Sequence, residues 1–194
     1  RGQFMQEACE AAPGGMVSVI GLSPEVLREV AAASGAEIAN LNSPEQTVLS
    51  GSKSAVEAAA RLAAERGARR VIPLAVAGAF HSSLMAPAAR RLAEVLANVP
   101  IHPPKFPVIS NVTAQPHGSP EDIRARMVEQ VTSPVRWVEC VQTLRQMGIG
   151  RAIEAGPGRV LSGLLRRIDK DIEIHNISDS PTLDAVVRLL SARC

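Results

Sequence analysis

One histidine of this sequence stands where it could act as a base. His81 follows an apolar run at 71–76 and precedes a long segment rich in Ala, Leu and Arg. A stretch of small residues leads into it, and two hydroxyl residues, Ser82 and Ser83, come after it. A neutral imidazole can take a proton from a hydroxyl near pH 7 and return it to a leaving group. Local pattern alone also allows a loop histidine without chemistry.

A strand and a helix are expected to position His81. The apolar residues before it predict a strand, and the segment after it repeats apolar side chains at helical spacing over 85–98. Upstream, the pattern predicts strand 16–20, helix 24–33, strands 38–42 and 47–50, helix 53–66 and strand 69–74. The order β-α-β-β-α-β is typical of a ferredoxin-like unit. We expect this unit to form a small subdomain over 16–74.

The rest of the chain shows a different pattern. Residues 1–10 have the character of a helix tail without an initiator Met, so we expect a piece of a longer protein. After the histidine, helices are predicted at 120–130, 135–147, 160–168 and 181–192, and short strands at 108–110, 152–154 and 172–174. This alternation favours a largely parallel α/β sheet that lacks its first strands.

Composition argues against several classes of function. The formal net charge is +2 and no basic run is interleaved with aromatic residues, so nothing favours nucleic acid. No apolar stretch reaches membrane-spanning length, and the 3 cysteines, far apart and odd in number, fit a reduced cytoplasmic protein. The other histidines, His102, His117 and His175, share no metal-ligand spacing. We therefore expect a cytoplasmic protein with no metal, no cofactor, and neither nucleic acid nor membrane as a partner.

The histidine segment resembles a known family. Gly-Ala-Phe-His followed by Ser-Ser-Leu-Met, at 78–85, is similar to the histidine motif of malonyl-CoA:acyl carrier protein transacylases and of the related acyltransferase domains in fatty acid and polyketide synthases. Five further segments resemble the family and fall in the family's order. They are RGQFMQEA at 1–8, NLNSPEQ at 40–46, SNV at 110–112, QVTSPVRW at 130–137 and EAGPG at 154–158.

The resemblance implies a fold and a reaction. The fold is an α/β-hydrolase-like large subdomain, incomplete here, built from 1–15 and 75–194, with the ferredoxin-like unit inserted. The reaction is transfer of a malonyl group from malonyl-CoA to the phosphopantetheine thiol of acyl carrier protein through a serine ester, in fatty acid biosynthesis. The serine of the family lies in a Gly-His-Ser-x-Gly turn, and this sequence lacks that motif. The chain alone is therefore expected to be inactive.

The resemblance also implies roles for individual residues. His81 matches the base, and Gln130 matches the position whose backbone carbonyl orients the imidazole. Arg1 matches the arginine that binds the free carboxylate of malonate, a task that suits the planar fork of a guanidinium. Phe80 resembles the malonyl-selective form of the motif, although Gly78 replaces a histidine often found there.

The predictions for two asparagines and for the function of the whole chain leave alternatives open. Asn42 and Asn111 are expected to line the cleft between the subdomains, although polar residues at turns are often only turn formers. For the whole chain, the rivals are an acyltransferase domain of a polyketide synthase and a non-enzymatic module that binds a ligand or partner. The expected partners are malonyl-CoA and acyl carrier protein, with the arginine pairs at 69–70 and 166–167 as candidate contacts. The full-length protein is expected to be a monomer.

Overall fold

Helices and strands alternate along residues 1–191, the part of the chain that the computed structural model describes. The helices are α1 (Gly2–Ala11), α2 (Pro24–Ser34), α3 (Lys53–Glu65), α4 (Ala86–Ala97), α5 (Pro120–Glu129), α6 (Trp137–Gln146), α7 (Val160–Ile168) and α8 (Ser180–Ser191). The strands are β1 (Gly14–Ile20), β2 (Glu37–Ser43), β3 (Gln46–Ser52), β4 (Arg70–Pro73), β5 (Arg151–Ala155) and β6 (Glu173–Ile177). A short 3₁₀ turn, Ser83–Met85, precedes α4. The chain divides into two units, residues 1–140 and residues from Val141 onward.

The first unit contains an antiparallel sheet of four strands in the order β2-β3-β1-β4. Its elements follow the predicted order β-α-β-β-α-β over 16–74. The predicted ends of α2 are close to the observed ones because their signals are local. Ser23 caps the helix by accepting a hydrogen bond from Val26 N, Pro24 occupies the first turn, and Gly35 ends it in the left-handed conformation. The division of the chain into 16–74 and the remainder stays a prediction.

One face of this sheet is covered by α2 and α3. Val17, Val19 and Leu49 of the sheet are fully buried there against Leu27 of α2. The fully buried positions of α3 are alanines at spacings of four, at 55, 59 and 63, and Val56 and Leu62 pack partly buried beside them. Because methyl groups are small, this helix can lie close to the strands, and the chain builds a dense core with few aromatic residues.

The opposite face of the sheet and helices α1 and α4 form the surroundings of the His81 loop. Met16, Ala39 and Val48 are buried on that face. A separate cluster joins Ala8 and Cys9 of α1 to Met85, to Ala88, Leu92 and Leu96 of α4, and to Val131. The loop that carries the histidine runs beside both clusters, since Phe80 packs against each of them.

The second unit contains a parallel pair of strands. Strand β5 pairs with β6 in the register Arg151↔Glu173 to Ala155↔Ile177. Parallel pairing agrees with the α/β class predicted for this region, and each strand is followed by a helix, α7 or α8. The prediction for the last helix extended to Ala192, which lies outside the described residues.

The predicted strand at 108–110 is wrong. Only an isolated bridge, Ile109↔Pro116, forms there, together with two backbone hydrogen bonds across the turn. Proline has no N–H to donate, so Pro107 and Pro116 prevent a longer ladder on the two sides of this turn. Within residues 1–191, no helix is long and apolar enough to span a membrane.

Candidate active site

The backbone of His81 adopts an uncommon conformation. Its φ angle is +59°, in the left-handed region that residues with a Cβ rarely enter. For an L-residue this conformation costs about 1–2 kcal/mol, and it persists only where the surrounding structure imposes it. The loop between β4 and the 3₁₀ turn therefore holds the histidine in a defined orientation.

The ring of His81 is fixed by two backbone carbonyls. Its Nδ1 atom lies 3.0 Å from the Gln130 oxygen and 3.0 Å from the Ser133 oxygen. A carbonyl can only accept a hydrogen bond, so Nδ1 must carry the proton and donate to both oxygens. This assignment leaves Nε2 unprotonated in the neutral ring, with its lone pair available to accept a proton.

The availability of these carbonyls is encoded in the sequence after α5. The last carbonyls of a helix have no partner inside the helix. The residue four positions beyond Gln130 is Pro134, which has no N–H, so the Gln130 oxygen cannot be satisfied by a further helical turn. Gln130 was predicted to orient the histidine through this atom. The second acceptor, Ser133, was not predicted, although the Ser-Pro pair marks the end of the helix.

Burial sets the protonation state of His81. Its pKa lies below the ordinary value, chiefly because burial disfavours the charged ring. The two carbonyls act in the opposite direction by stabilising the imidazolium, and the positive charge of Arg1 lowers the pKa further. The ring is therefore neutral near pH 7 and can act as a base. The carbonyl end of α5 also carries the negative pole of the helix dipole, which favours the imidazolium after proton transfer.

Arg1 is close enough to His81 for its charge to influence the ring. Its backbone oxygen accepts a hydrogen bond from Met5 N, 3.0 Å away, at the start of α1. Its side chain is exposed, and in residues 1–191 its guanidinium forms no ion pair. The structure thus brings together two predicted residues, a neutral imidazole and an exposed guanidinium suited to an anion.

Phe80 and Gly78 shape the loop before the histidine. Phe80 is half-buried and packs against both the α1–α4 cluster and the face of the sheet that buries Met16, Ala39 and Val48. Gly78 lies against α1, where an added Cβ would stand 2.3 Å from Cys9 Sγ. This close approach gives a steric reason for glycine in place of a larger residue. A role for Phe80 in substrate selection stays a prediction.

The two predicted asparagines share no hydrogen bond with His81 in the described part of the chain. Asn42 is half-buried near the end of β2, next to a register shift between Leu41 and Ser43. Asn111 is half-buried as well, and its side-chain oxygen lies 3.8 Å from Cys140 Sγ. Their role in a substrate cleft also stays a prediction.

The start of α7, which follows the glycine-rich turn at 156–158, is bound by the side chain of Glu154. Glu154 accepts hydrogen bonds from Leu161 N at 2.9 Å and from Ser162 N at 2.8 Å, both at the start of α7. Asn176 Nδ2 donates to the same carboxylate at 2.9 Å. These bonds lower the pKa of Glu154, led by the one from the Ser162 hydroxyl. The negative charge of Glu154 therefore occupies the helix start, a position that favours anions.

Among the described residues, no group of three His, Cys, Asp or Glu side chains could hold a metal ion. The thiols of Cys9 and Cys140 are buried, and burial raises the pKa of Cys140 to about 11. A protonated, buried thiol is a poor nucleophile.

Comparison with known proteins gives matches over most of the chain. The family model described as acyl transferase domain matches residues 1–180. A malonyl CoA-acyl carrier protein transacylase from Bacillus subtilis is 42% identical over 98% of this chain and 62% of its own length. The crystal structure of malonyl-CoA:acyl carrier protein transacylase from Xanthomonas oryzae superposes with a TM-score of 0.93 at 42% identity, covering 97% of this chain and 61% of that one. A complex of a type II polyketide synthase acyl carrier protein with its malonyl-transacylase gives a TM-score of 0.90 at 40% identity, covering 96% and 62%. The chain thus spans less than two thirds of these relatives.

Proposed function

The chain belongs to the acyl transferase domain family, and from this premise we propose that it carries the catalytic base of a malonyl-CoA:acyl carrier protein transacylase. The observation that carries the proposal is the pair of carbonyl contacts to His81 Nδ1, which leave Nε2 as a proton acceptor in a neutral ring. The names of the relatives supply the substrate and the acceptor.

In the proposed reaction His81 moves one proton in each half of the cycle. A serine hydroxyl attacks the thioester carbonyl of malonyl-CoA while Nε2 takes its proton. When the tetrahedral intermediate collapses, the C–S bond breaks and the imidazolium returns the proton to the CoA sulfur. In the second half, the phosphopantetheine thiol gives a proton to Nε2 and attacks the malonyl-serine ester. Collapse then returns that proton to the serine oxygen.

The serine of this scheme would be supplied by residues outside this sequence. No Gly-x-Ser-x-Gly segment occurs in the chain. Finer features of the fold belong to the same proposal. We infer an α/β-hydrolase-like subdomain from 1–15 and 75–194 with a ferredoxin-like insert at 16–74, an inference that the β2-β3-β1-β4 strand order supports.

Substrate choice is assigned to the residues around the base. Arg1 would bind the free carboxylate of malonate, which its influence on His81 and the exposure of its side chain support. Phe80 would limit room beside the α-carbon of the substrate, and Asn42 and Asn111 would line the cleft. No cofactor is required, since malonyl-CoA is a substrate and the step moves only protons and an acyl group.

The partner and pathway follow from the relatives. We infer that acyl carrier protein accepts the malonyl group, in cytoplasmic fatty acid biosynthesis and in a monomeric protein. The neighbour bound to a polyketide synthase carrier protein supports a second setting, in which the same chemistry serves polyketide synthesis. Both settings require the same base and the same arginine.

The test of this function is malonyl transfer by the complete protein with His81 replaced. His81→Ala should lower kcat/KM about 10²–10⁴-fold, the range expected when a general base is lost. His102→Ala is the matched control, because His102 is exposed in the proline-rich segment after α4. In addition, the wild-type rate should hold to a pH below the unperturbed pKa of 6.5, because burial lowers the pKa of His81. A His81→Ala protein with the full rate would refute the proposal.

A further inference from the structure

The carboxylate of Glu37, at the start of β2, binds the turn that follows His81. Its Oε1 atom accepts hydrogen bonds from Ser83 N at 2.9 Å and from Ser83 Oγ at 2.6 Å. Its Oε2 atom lies 3.2 Å from the same backbone nitrogen. These bonds join residues 46 positions apart in the chain. They connect the antiparallel sheet directly to the histidine loop.

Glu37, which lies on β2, caps the 3₁₀ turn that begins at Ser83. Ser82 occupies the cap position of the 3₁₀ turn that leads into α4, but its side chain makes no capping bond. Its hydroxyl instead donates to the Ala79 oxygen at 2.7 Å, which closes the loop on the other side of His81. The first free N–H of the turn is therefore bound by Glu37. A carboxylate is favourable at this position because the start of a helix carries a positive pole.

Strand β2 also holds the segment that binds the histidine ring. Leu41 N donates to the Val135 oxygen at 2.9 Å, and Val135 N donates to the Ala39 oxygen at 2.8 Å. Val135 lies two residues beyond Ser133, one of the carbonyls that bind Nδ1. One strand thus binds the turn directly after His81 through Glu37, and the segment that carries the Ser133 carbonyl through residues 39–41.

From these contacts we propose that Glu37 is a positioning residue for His81, which rests on the function proposed above. It fixes the loop in which His81 takes its left-handed conformation, and so keeps Nδ1 within reach of Gln130 and Ser133. Its influence is geometric. The pKa of His81 is shifted by burial of the ring, by the Gln130 and Ser133 carbonyls and by Arg1. The charge of Glu37 is not among these causes.

The test uses five variants in the complete protein with malonyl-CoA and acyl carrier protein. Glu37→Ala should lower kcat about tenfold with the KM for malonyl-CoA within about twofold, since a small displacement of a catalytic group reduces the rate without removing a substrate contact. Glu37→Gln should recover most of the rate, because its amide oxygen can still accept a bond from Ser83. Glu45→Ala is the matched control, an exposed glutamate of the β2–β3 turn that pairs with Arg69, and should keep the wild-type rate.

The last two variants test whether Glu37 and Ser83 act through one contact. Ser83→Ala keeps its N–H and should lower kcat only about threefold. The Glu37→Ala/Ser83→Ala double variant should be no slower than Glu37→Ala alone, because the Ser83 hydroxyl then has no carboxylate to bind. The proposal would be contradicted if the loss of kcat in the double variant equalled the product of the two single-variant losses. So would equal rates for Glu37→Ala and Glu45→Ala.

A spectroscopic readout separates this proposal from the proposed function. In the wild type the Nδ1 proton of His81 should give a slowly exchanging NMR signal, because it is bound by two carbonyls. Glu37→Ala should speed its exchange at least about tenfold, and Glu37→Gln should restore it. Unchanged exchange in a folded Glu37→Ala protein overturns the positioning role, whatever the activity. A full rate in His81→Ala overturns the function, whatever the exchange.

Discussion

Gly78→Ala is expected to destabilise the first unit by steric conflict. A Cβ at this position would lie 2.3 Å from Cys9 Sγ and 2.9 Å from Cys9 Cβ, although a carbon and a sulfur normally approach no closer than about 3.5 Å. Cys9 is buried on α1, and rotating its thiol would not move its Cβ, which is also too close. Helix α1 or the loop must therefore shift by about 1 Å, and overpacking of this kind costs about 1–3 kcal/mol.

A second substitution can show that Cys9 is the cause. Cys9→Ala alone should destabilise by about 1 kcal/mol, since it removes a buried group similar in size to a methylene. In the Gly78→Ala background the same change removes the worst contact, so it should be neutral or stabilising. The free energies would then be non-additive by at least about 1 kcal/mol. Gly15→Ala is the control, because a Cβ on Gly15 would meet nothing within 4 Å.

Urea denaturation followed by tryptophan fluorescence measures these free energies. The protein has 1 tryptophan, Trp137, which lies in the first unit. The expected order of unfolding midpoints is wild type above Cys9→Ala, with Gly78→Ala lowest and the double variant at or above Gly78→Ala. Two results would refute the reasoning. One is a Gly78→Ala protein as stable as Gly15→Ala, and the other is an equal cost for Cys9→Ala in both backgrounds.

Two further predictions concern the arginine beside the base and the carboxylate of the second unit. Arg1→Ala should lower kcat/KM for malonyl-CoA about 10–100-fold relative to acetyl-CoA, the range for loss of a charged hydrogen bond. The control is Arg61→Ala, on the exposed side of α3. Unchanged selectivity in Arg1→Ala would contradict the assignment. Glu154→Gln should lower the Tm at pH 7, and the difference from wild type should vanish as the pH falls. Because the pKa of Glu154 is lower in the folded than in the unfolded protein, its ionised carboxylate stabilises the fold at pH values above the unfolded pKa of about 4.3. That contribution is lost as the pH falls through the folded pKa. A difference in Tm that stays constant from pH 7 to pH 3 would contradict this account.

The parts of the fold that the sequence reveals are those with local causes. The ends of α2 are marked by Ser23, Pro24 and Gly35, all within a few residues of the helix they bound. The start of α3 is marked in the same way by Ser52, whose hydroxyl accepts a hydrogen bond from Ala55 N at 3.2 Å. The error at 108–110 has a local cause too. Apolar residues there suggest a strand, while the neighbouring prolines remove the donors that a ladder needs.

The parts of the site that the sequence conceals depend on distant pairs. His81 and Gln130 follow from the family resemblance, but Glu37 has no motif of its own and acts only through Ser83. Its partner is set by the alignment of β2 with the histidine loop, which no periodicity in either segment specifies. The Ser133 carbonyl is similar, because a backbone atom has no side-chain signature. Only the end of α5 before Pro134 limits where it can point.

The choice of carbonyls over a carboxylate as partners of His81 has a chemical consequence. A carboxylate beside Nδ1 would raise the pKa of the ring and disfavour the return of a proton to a leaving group. Two neutral carbonyls fix the same tautomer while burial still keeps the pKa low. Such a base is neutral when it meets a hydroxyl, and its proton is readily given to a leaving thiolate. This balance depends on the Nδ1 contacts. Strand β2 maintains those contacts, because it binds both the histidine loop and the 133–135 segment.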